Sequence, residues 1–229
     1  MLQYFRRERR REPRAEETWR ELIANHARGA TFIDVGCLWN VHGAYAFHAA
    51  AHGAKDVVGL DPAVATEEFK AENAGRRNVV RFVHGDINDP RIAETVGTFD
   101  VVFCSGVLYH MPNPVYTLQQ LGRICRRTLI LTCATFPEGA LPQAMVFLPH
   151  LDQHARNRLQ KAFPGPSIKM GIDTEFQPER WYANWFWAFS PSAVRAMLKT
   201  AGFEILDFVE HGRRKRVVTA VCSPVSPVG

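Results

Sequence analysis

Three carboxylates and one imidazole stand in this chain where chemistry is expected. Asp34, Asp61 and Asp86 each close an apolar run, in "FIDVGC", "VVGLDP" and "VVRFVHGDI", and His110 follows a fourth, in "FDVVFCSGVLYHMPNP". Two carboxylate oxygens match two adjacent hydroxyls, so an acid placed like Asp61 can accept from both hydroxyls of a ribose. It follows Asp34 by 27 residues, close to the spacing that serves a nucleotide ribose in dinucleotide folds. Asp86 can accept from the exocyclic amine of an adenine, with the neighbouring backbone at Ile87 offering an N–H to a ring nitrogen. Gly36 lets the backbone approach a ligand closely. His110 has an ordinary pKa that suits a general base at neutral pH. A histidine that shapes its loop by hydrogen-bonding a backbone carbonyl fits the same position.

The elements that must position these groups alternate. Short apolar strands are expected at 31–35, 56–61, 78–86, 99–108 and 127–134. Helices are expected at 15–28, 44–54, 64–75, 90–96 and 114–125, from apolar spacing, terminal glycines and Pro90 suited to a first helical turn. Such a βαβα rhythm predicts a parallel sheet with helices on both faces. Ligands of open α/β sheets sit beyond the carboxyl ends of the strands, which is where the three acids fall. The rhythm stops at 135–189, a proline-rich stretch ending in "WYANWFWAF" that reads as an insertion. It resumes with a helix over 190–202, capped by Ser190 with Pro191 at its first position. Two strands follow, 203–211 and 215–223, joined by a short turn that makes the last strand antiparallel.

The order and spacing of these four stretches over roughly residues 30–134, with the terminal "AGFEILDFVEHG…KRVVTAVC", resemble the class I S-adenosylmethionine (SAM)-dependent methyltransferases. The resemblance implies an α/β, doubly wound, Rossmann-like sheet of seven strands with the last antiparallel, filling residues 1–229 as one domain. It implies SAM as cofactor, held by Asp34, Gly36, Cys37, Leu38, Asn40, Asp61, Pro62, Asp86, Ile87, Cys104, Ser105 and Tyr109. The stretches "GVLYHMPNPVYTL" and "NWFWAFSPSAVRAMLKTAGFE" are similar to the wobble-uridine tRNA carboxymethyl transferases and their small-molecule relatives. The opening loop departs from the family. Its usual glycines two and four places after the first are Leu38 and Asn40 here, and Gly43 aligns with the last only if the loop is about two residues longer. Asn40 tolerates left-handed backbone; Leu38 and Trp39 either wall the cofactor or point into the core. A NAD-dependent dehydrogenase would need the G-x-G-x-x-G fingerprint, which is absent.

The insertion lies on the acceptor side of such a fold, so Trp181, Tyr182 and Trp185, with Tyr109 and His110, are expected to line an acceptor pocket; packing of the insertion is the other use for its aromatics. His150 and His154 share a helical face in metal-ligand fashion, but no third ligand is near, and no metal is expected. Six arginines (Arg6, Arg7, Arg9, Arg10, Arg11 and Arg14) precede the first helix against Glu8 and Glu12, while the rest of the chain is close to neutral. That arm either touches phosphates or is a solvated helix end. The sequence thus favours a small-molecule acceptor, at oxygen or nitrogen, over tRNA, with a non-catalytic SAM-binding protein as the third reading. Five widely spaced cysteines, no membrane-length apolar run and no apolar leader point to a cytoplasmic protein with reduced thiols. The sequence sets no oligomeric state.

Overall fold

The computed structural model describes residues 14–162, 176–180, 183–212 and 216–225. Helix α1 (Ala15–Ala27) leads into β1 (Thr31–Val35), followed by α2 (Ala44–Ala51), β2 (Asp56–Asp61), α3 (Glu67–Gly75), β3 (Arg81–His84), α4 (Ile92–Val96), β4 (Phe99–Ser105), α5 (Pro114–Ile124) and β5 (Cys125–Ala134). The insertion adds β6 (Met145–Phe147), α6 (Gln153–Ala162) and β7 (Trp187–Phe189); α7 (Pro191–Thr200), β8 (Phe203–His211) and β9 (Val217–Pro224) close the chain. The main sheet has seven strands in the order β3-β2-β1-β4-β5-β9-β8. Strands β1 to β5 pair in parallel, and β9 runs antiparallel to both β5 and β8. This is the expected topology. Strands β6 and β7 form a separate two-stranded sheet.

Burial on both faces explains the unbroken apolar runs of the central strands. One face packs Phe32, Val101, Phe103 and Ile130 under α1, α2 and α3, and the other packs Ile33, Val58, Val102 and Leu131 under α5 and α7. Local chemistry starts the helices as read: Asn113 caps α5 by accepting from Tyr116 N at 3.2 Å, and Ser190 caps α7 through Ala193 N at 3.3 Å, each with proline next in line. Several boundaries differ by a few residues, two of them for a visible reason. Strand β3 is only four residues long because it is the sheet edge and is half-exposed along its length. Helix α4 begins at Ile92, so Pro90 lies before its first turn, in a loop where Asp89 accepts from Arg91 N. All five cysteines are buried and free. Among the described residues, no helix is long and apolar enough to cross a membrane.

Candidate active site

The long opening loop folds back on itself. Gly36 N donates to Leu60 O at 2.9 Å, His42 N to Leu38 O at 3.0 Å, and Gly43 N to Cys37 O at 2.7 Å. Four residues take left-handed backbone to do this: Gly36, Asn40, His42 and Gly43. Asn40 therefore replaces a glycine as its side chain allows, and His42 does so without sequence warning. Cys37 and Leu38 point into the core, while Trp39 is 72% exposed. The Cys37 sulfur lies 2.9 Å from where a Cβ on Gly59 would stand. The glycine in "VVGLD" thus exists to admit Cys37. Cys37 and Leu38 can meet a ligand only through their backbone.

Gly36 is the tightest point. A Cβ there would lie 2.5 Å from Val107 Cγ2, at φ 78°. Left-handed strain and overpacking together predict that Gly36→Ala costs about 2–4 kcal/mol. A shift in urea midpoint measures it, and Val107→Ala in the same chain should recover the overpacking part.

Asp34 is buried at the end of β1. Its carboxylate accepts from Ala46 N in the first turn of α2, the donor that the glycine at the N-cap leaves unpaired. The other oxygen, Oδ2, is buried and has no hydrogen-bond partner among the described residues. Burial, with the Asp61 charge adding to it, raises its pKa to about 7. Asp61 sits one strand over. Its Oδ2 accepts from Leu38 N and its Oδ1 from Ala63 N, both at 2.9 Å. Asp61 therefore clamps the opening loop onto β2, and each oxygen keeps a second lone pair. Pro62 O accepts a hydrogen bond from His84 Nε2 at 2.9 Å. Asp86 is exposed and accepts from Asn88 N at 2.8 Å, with Ile87 buried beside it. Cys104 is buried, and Ser105 Oγ lies 2.8 Å from Thr132 Oγ1.

The loop after β4 is a 3-10 turn, Leu108–His110. The insertion is fastened to it at three points. Phe186 N donates to Tyr109 O at 2.9 Å, the Trp185 ring stacks on Tyr109 with centroids 3.9 Å apart, and His110 Nδ1 faces Asn184 O. A carbonyl only accepts, so Nδ1 carries the hydrogen and Nε2 is left with its lone pair. Burial lowers the His110 pKa from its ordinary 6.5, which keeps the ring neutral at neutral pH. The two sequence readings of His110 are therefore compatible: the carbonyl contact uses one nitrogen and leaves the lone pair of the other. The Asn184 carbonyl, 74 residues away, carried no sequence signal. Trp185 is 2% exposed and Tyr109 3%, so the expected acceptor-pocket tryptophan is packing that holds Tyr109 and His110 in place. Trp181 and Tyr182 lie outside the described residues. His150 precedes α6 and only His154 lies on it, so the two do not share a helical face, and the described residues contain no group of three or more metal-ligating side chains placed for an ion.

Residues 33–131 match the family model of the methyltransferase domain. That match makes residues 33–131, under half of the chain, a methyltransferase domain. The tRNA U34 carboxymethyltransferase of Helicobacter acinonychis is 36% identical over 108 residues, which are 43% of this chain and 40% of that protein. The same-named protein of Campylobacter hominis is 36% identical over 96 residues, 41% of this chain and 32% of its own length. The chain thus matches well under half the length of these curated relatives. Among solved structures, magnesium protoporphyrin IX methyltransferase from Synechocystis, with bound S-adenosylhomocysteine, aligns with TM-score 0.59 at 18% identity, covering 91% of this chain and 83% of that one. The Burkholderia thailandensis 1,6-didemethyltoxoflavin-N1-methyltransferase aligns with TM-score 0.60 at 15% identity, covering 91% and 77%. These neighbours share the methyltransferase fold, and SAM is the cofactor of the family.

Proposed function

We propose that the protein transfers the methyl group of SAM to an oxygen or nitrogen of a small-molecule acceptor, with His110 as the base. The observation that carries the choice of acceptor is the charge of the four turns around the proposed cofactor site. Four turns there, residues 35–43, 61–66, 85–90 and 105–113, hold Asp61, Asp86 and Asp89 and no lysine or arginine, while Arg216 stands farther along the same edge, its carbonyl accepting from Thr135 N just past β5. A phosphate backbone laid across those turns would meet carboxylates rather than cations. The solved neighbours named for small acceptors, magnesium protoporphyrin IX and a toxoflavin precursor, support the same reading.

When bound, SAM supplies an electrophilic methyl on a sulfonium, whose departure as a neutral thioether leaves no anion to stabilise. This chain's work is to bind, align and exclude water. The unpaired, buried Asp34 Oδ2 suits a cationic ligand group. Asp61 has two lone pairs left for ribose hydroxyls, and exposed Asp86 suits the adenine amine. Gly36, Cys37, Leu38, Asn40, Pro62, Ile87, Cys104 and Ser105 offer backbone and shape around them. Nε2 of His110 takes the proton of the acceptor hydroxyl or amine as the methyl is transferred, and the turn that carries Tyr109 bounds the acceptor.

Titration calorimetry with SAM tests this. A cationic ligand favours ionised Asp34, whose free-protein pKa is raised to about 7. Binding at pH 6 should therefore release a proton, and affinity should rise as pH passes through about 7 and then level off. Asn at position 34 should abolish that dependence. No SAM binding at any pH would overturn the proposal and favour an interaction protein that has drifted from an enzyme. The second reading, tRNA modification, draws on the names of the relatives and on the arginine arm. Methylation of tRNA that is lost when the arm arginines are replaced by glutamine would favour it.

A further inference from the structure

The opposite edge of the sheet carries the reverse charge. Over the five parallel strands, its turns and first strand residues are 27–31, 52–56, 76–81, 97–100 and 125–128. They hold Arg28, Lys55, Arg76, Arg77, Arg81, Arg126 and Arg127 against only Asp56 and Asp100. All seven cations are exposed. The sequence alone, with its near-neutral body, hides this, because strand order gathers cations from turns far apart in the chain.

The gathering is close. Gly29 N donates to Gly53 O and Lys55 N to Ala30 O, both at 2.8 Å. The Lys55 stem reaches within 3.9 Å of a Cβ position on Gly29, and the Arg28 stem within 3.9 Å of one on Gly53. Arg126 Nη2 reaches Thr31 Oγ1 at 2.9 Å and Asp100 Oδ1 at 3.1 Å, and Arg127 lies near enough to His26 to lower its pKa after burial has done so. Asp100 is already used by Thr31 N at 3.0 Å and by Arg126, and Arg76 by Glu72. From β3 across β2, β1 and β4 to β5 the edge spans four strand spacings, about 19 Å.

We propose that this edge binds the phosphate backbone of a nucleic acid, away from the methyl-transfer site. Six of the seven cations are arginines, whose planar fork pairs with phosphate oxygens. An acidic protein partner would want a buried apolar centre within the patch. Of the exposed large hydrophobic residues, Val79 is the one in these turns. The edge is thus polar and cationic throughout, which suits a backbone-binding surface that reads no sequence. It is distinct from the N-terminal arm: α1 runs from Arg14 towards this edge, and its 13 residues set the arm's attachment point about 20 Å away.

The test is fluorescence anisotropy of the full chain with a labelled 20-nucleotide single-stranded RNA and with a 20-base-pair duplex. Contact with three phosphates on the single strand predicts that Kd weakens about 20-fold between 50 and 200 mM salt. The triple variant R28E/K55E/R127E should lose at least tenfold in affinity, with an unchanged thermal melt and unchanged SAM binding. Arginine-to-lysine changes at 28 and 127 should keep most of it, as should glutamine at the arm arginines. Equal binding by the triple variant, or salt-independent binding, overturns the proposal. So does stronger competition by poly-glutamate than by unlabelled RNA, which would assign the edge to an acidic protein. Loss of SAM binding in the wild type would sink the methyl-transfer reading and leave this result separately readable.

Discussion

Turnover of the His110→Asn enzyme is expected to fall by about 10²–10⁴-fold, the usual contribution of a positioned base, with SAM affinity little changed. Asparagine is the informative replacement because its side-chain amide can still donate to the Asn184 carbonyl. Alanine would remove the side-chain donor to that carbonyl and add the structural cost of a lost hydrogen bond, about 0.5–1.5 kcal/mol. The wild-type pH profile gives a second readout. Protonation fills the Nε2 lone pair, so activity is lost as pH falls. Burial lowers the His110 pKa from 6.5, so the midpoint of that acid limb is expected below 6.5. The limb should vanish from the residual activity of the asparagine variant. Unchanged turnover would remove His110 as the base and leave it as the residue that fastens the insertion.

Trp185→Ala is expected to cost about 3–5 kcal/mol of stability, as large aromatic truncations in cores do. That is a large share of a typical total of about 5–15 kcal/mol. Trp185 is among the largest fully buried side chains and stacks on Tyr109 at 14° between ring planes. Its removal opens a cavity beneath the turn that presents His110. Chemical denaturation should show the loss, and steady-state kinetics should show a lower kcat beyond what unfolding explains, because the base is no longer held. Trp185→Phe keeps a stacking ring and should recover most of both. A variant as stable as the wild type, or a stable one with full kcat, would show that the stack does not support the catalytic turn.

These two residues also mark where sequence reading stops. His110 was legible because its neighbours in the chain are diagnostic: an apolar strand, a glycine and then the turn "LYHMPNP". Its tautomer was not, because the carbonyl that sets it belongs to Asn184. Trp185 was legible as an aromatic in an acceptor-side insertion, but its burial under Tyr109 depends on how the insertion docks. Asp61 was legible as an acid at a strand end. That it clamps Leu38 N follows from a loop whose left-handed turns at Asn40 and His42 have no glycine to announce them. Gly59 reads as a weak point in a strand until Cys37 is seen against it.

The sequence by itself determined the alternation of strands and helices, the antiparallel final hairpin, and the edge of the sheet at which Asp34, Asp61, Asp86 and His110 collect. Those follow from apolar periodicity, caps and turn residues, which act over a few neighbouring positions. Only the tertiary structure decided which nitrogen of His110 is free, which oxygen of Asp34 is unpaired, and that seven cations from five separate turns form one edge. Each of these depends on groups brought together by strand order across tens of residues, and no local pattern encodes that order.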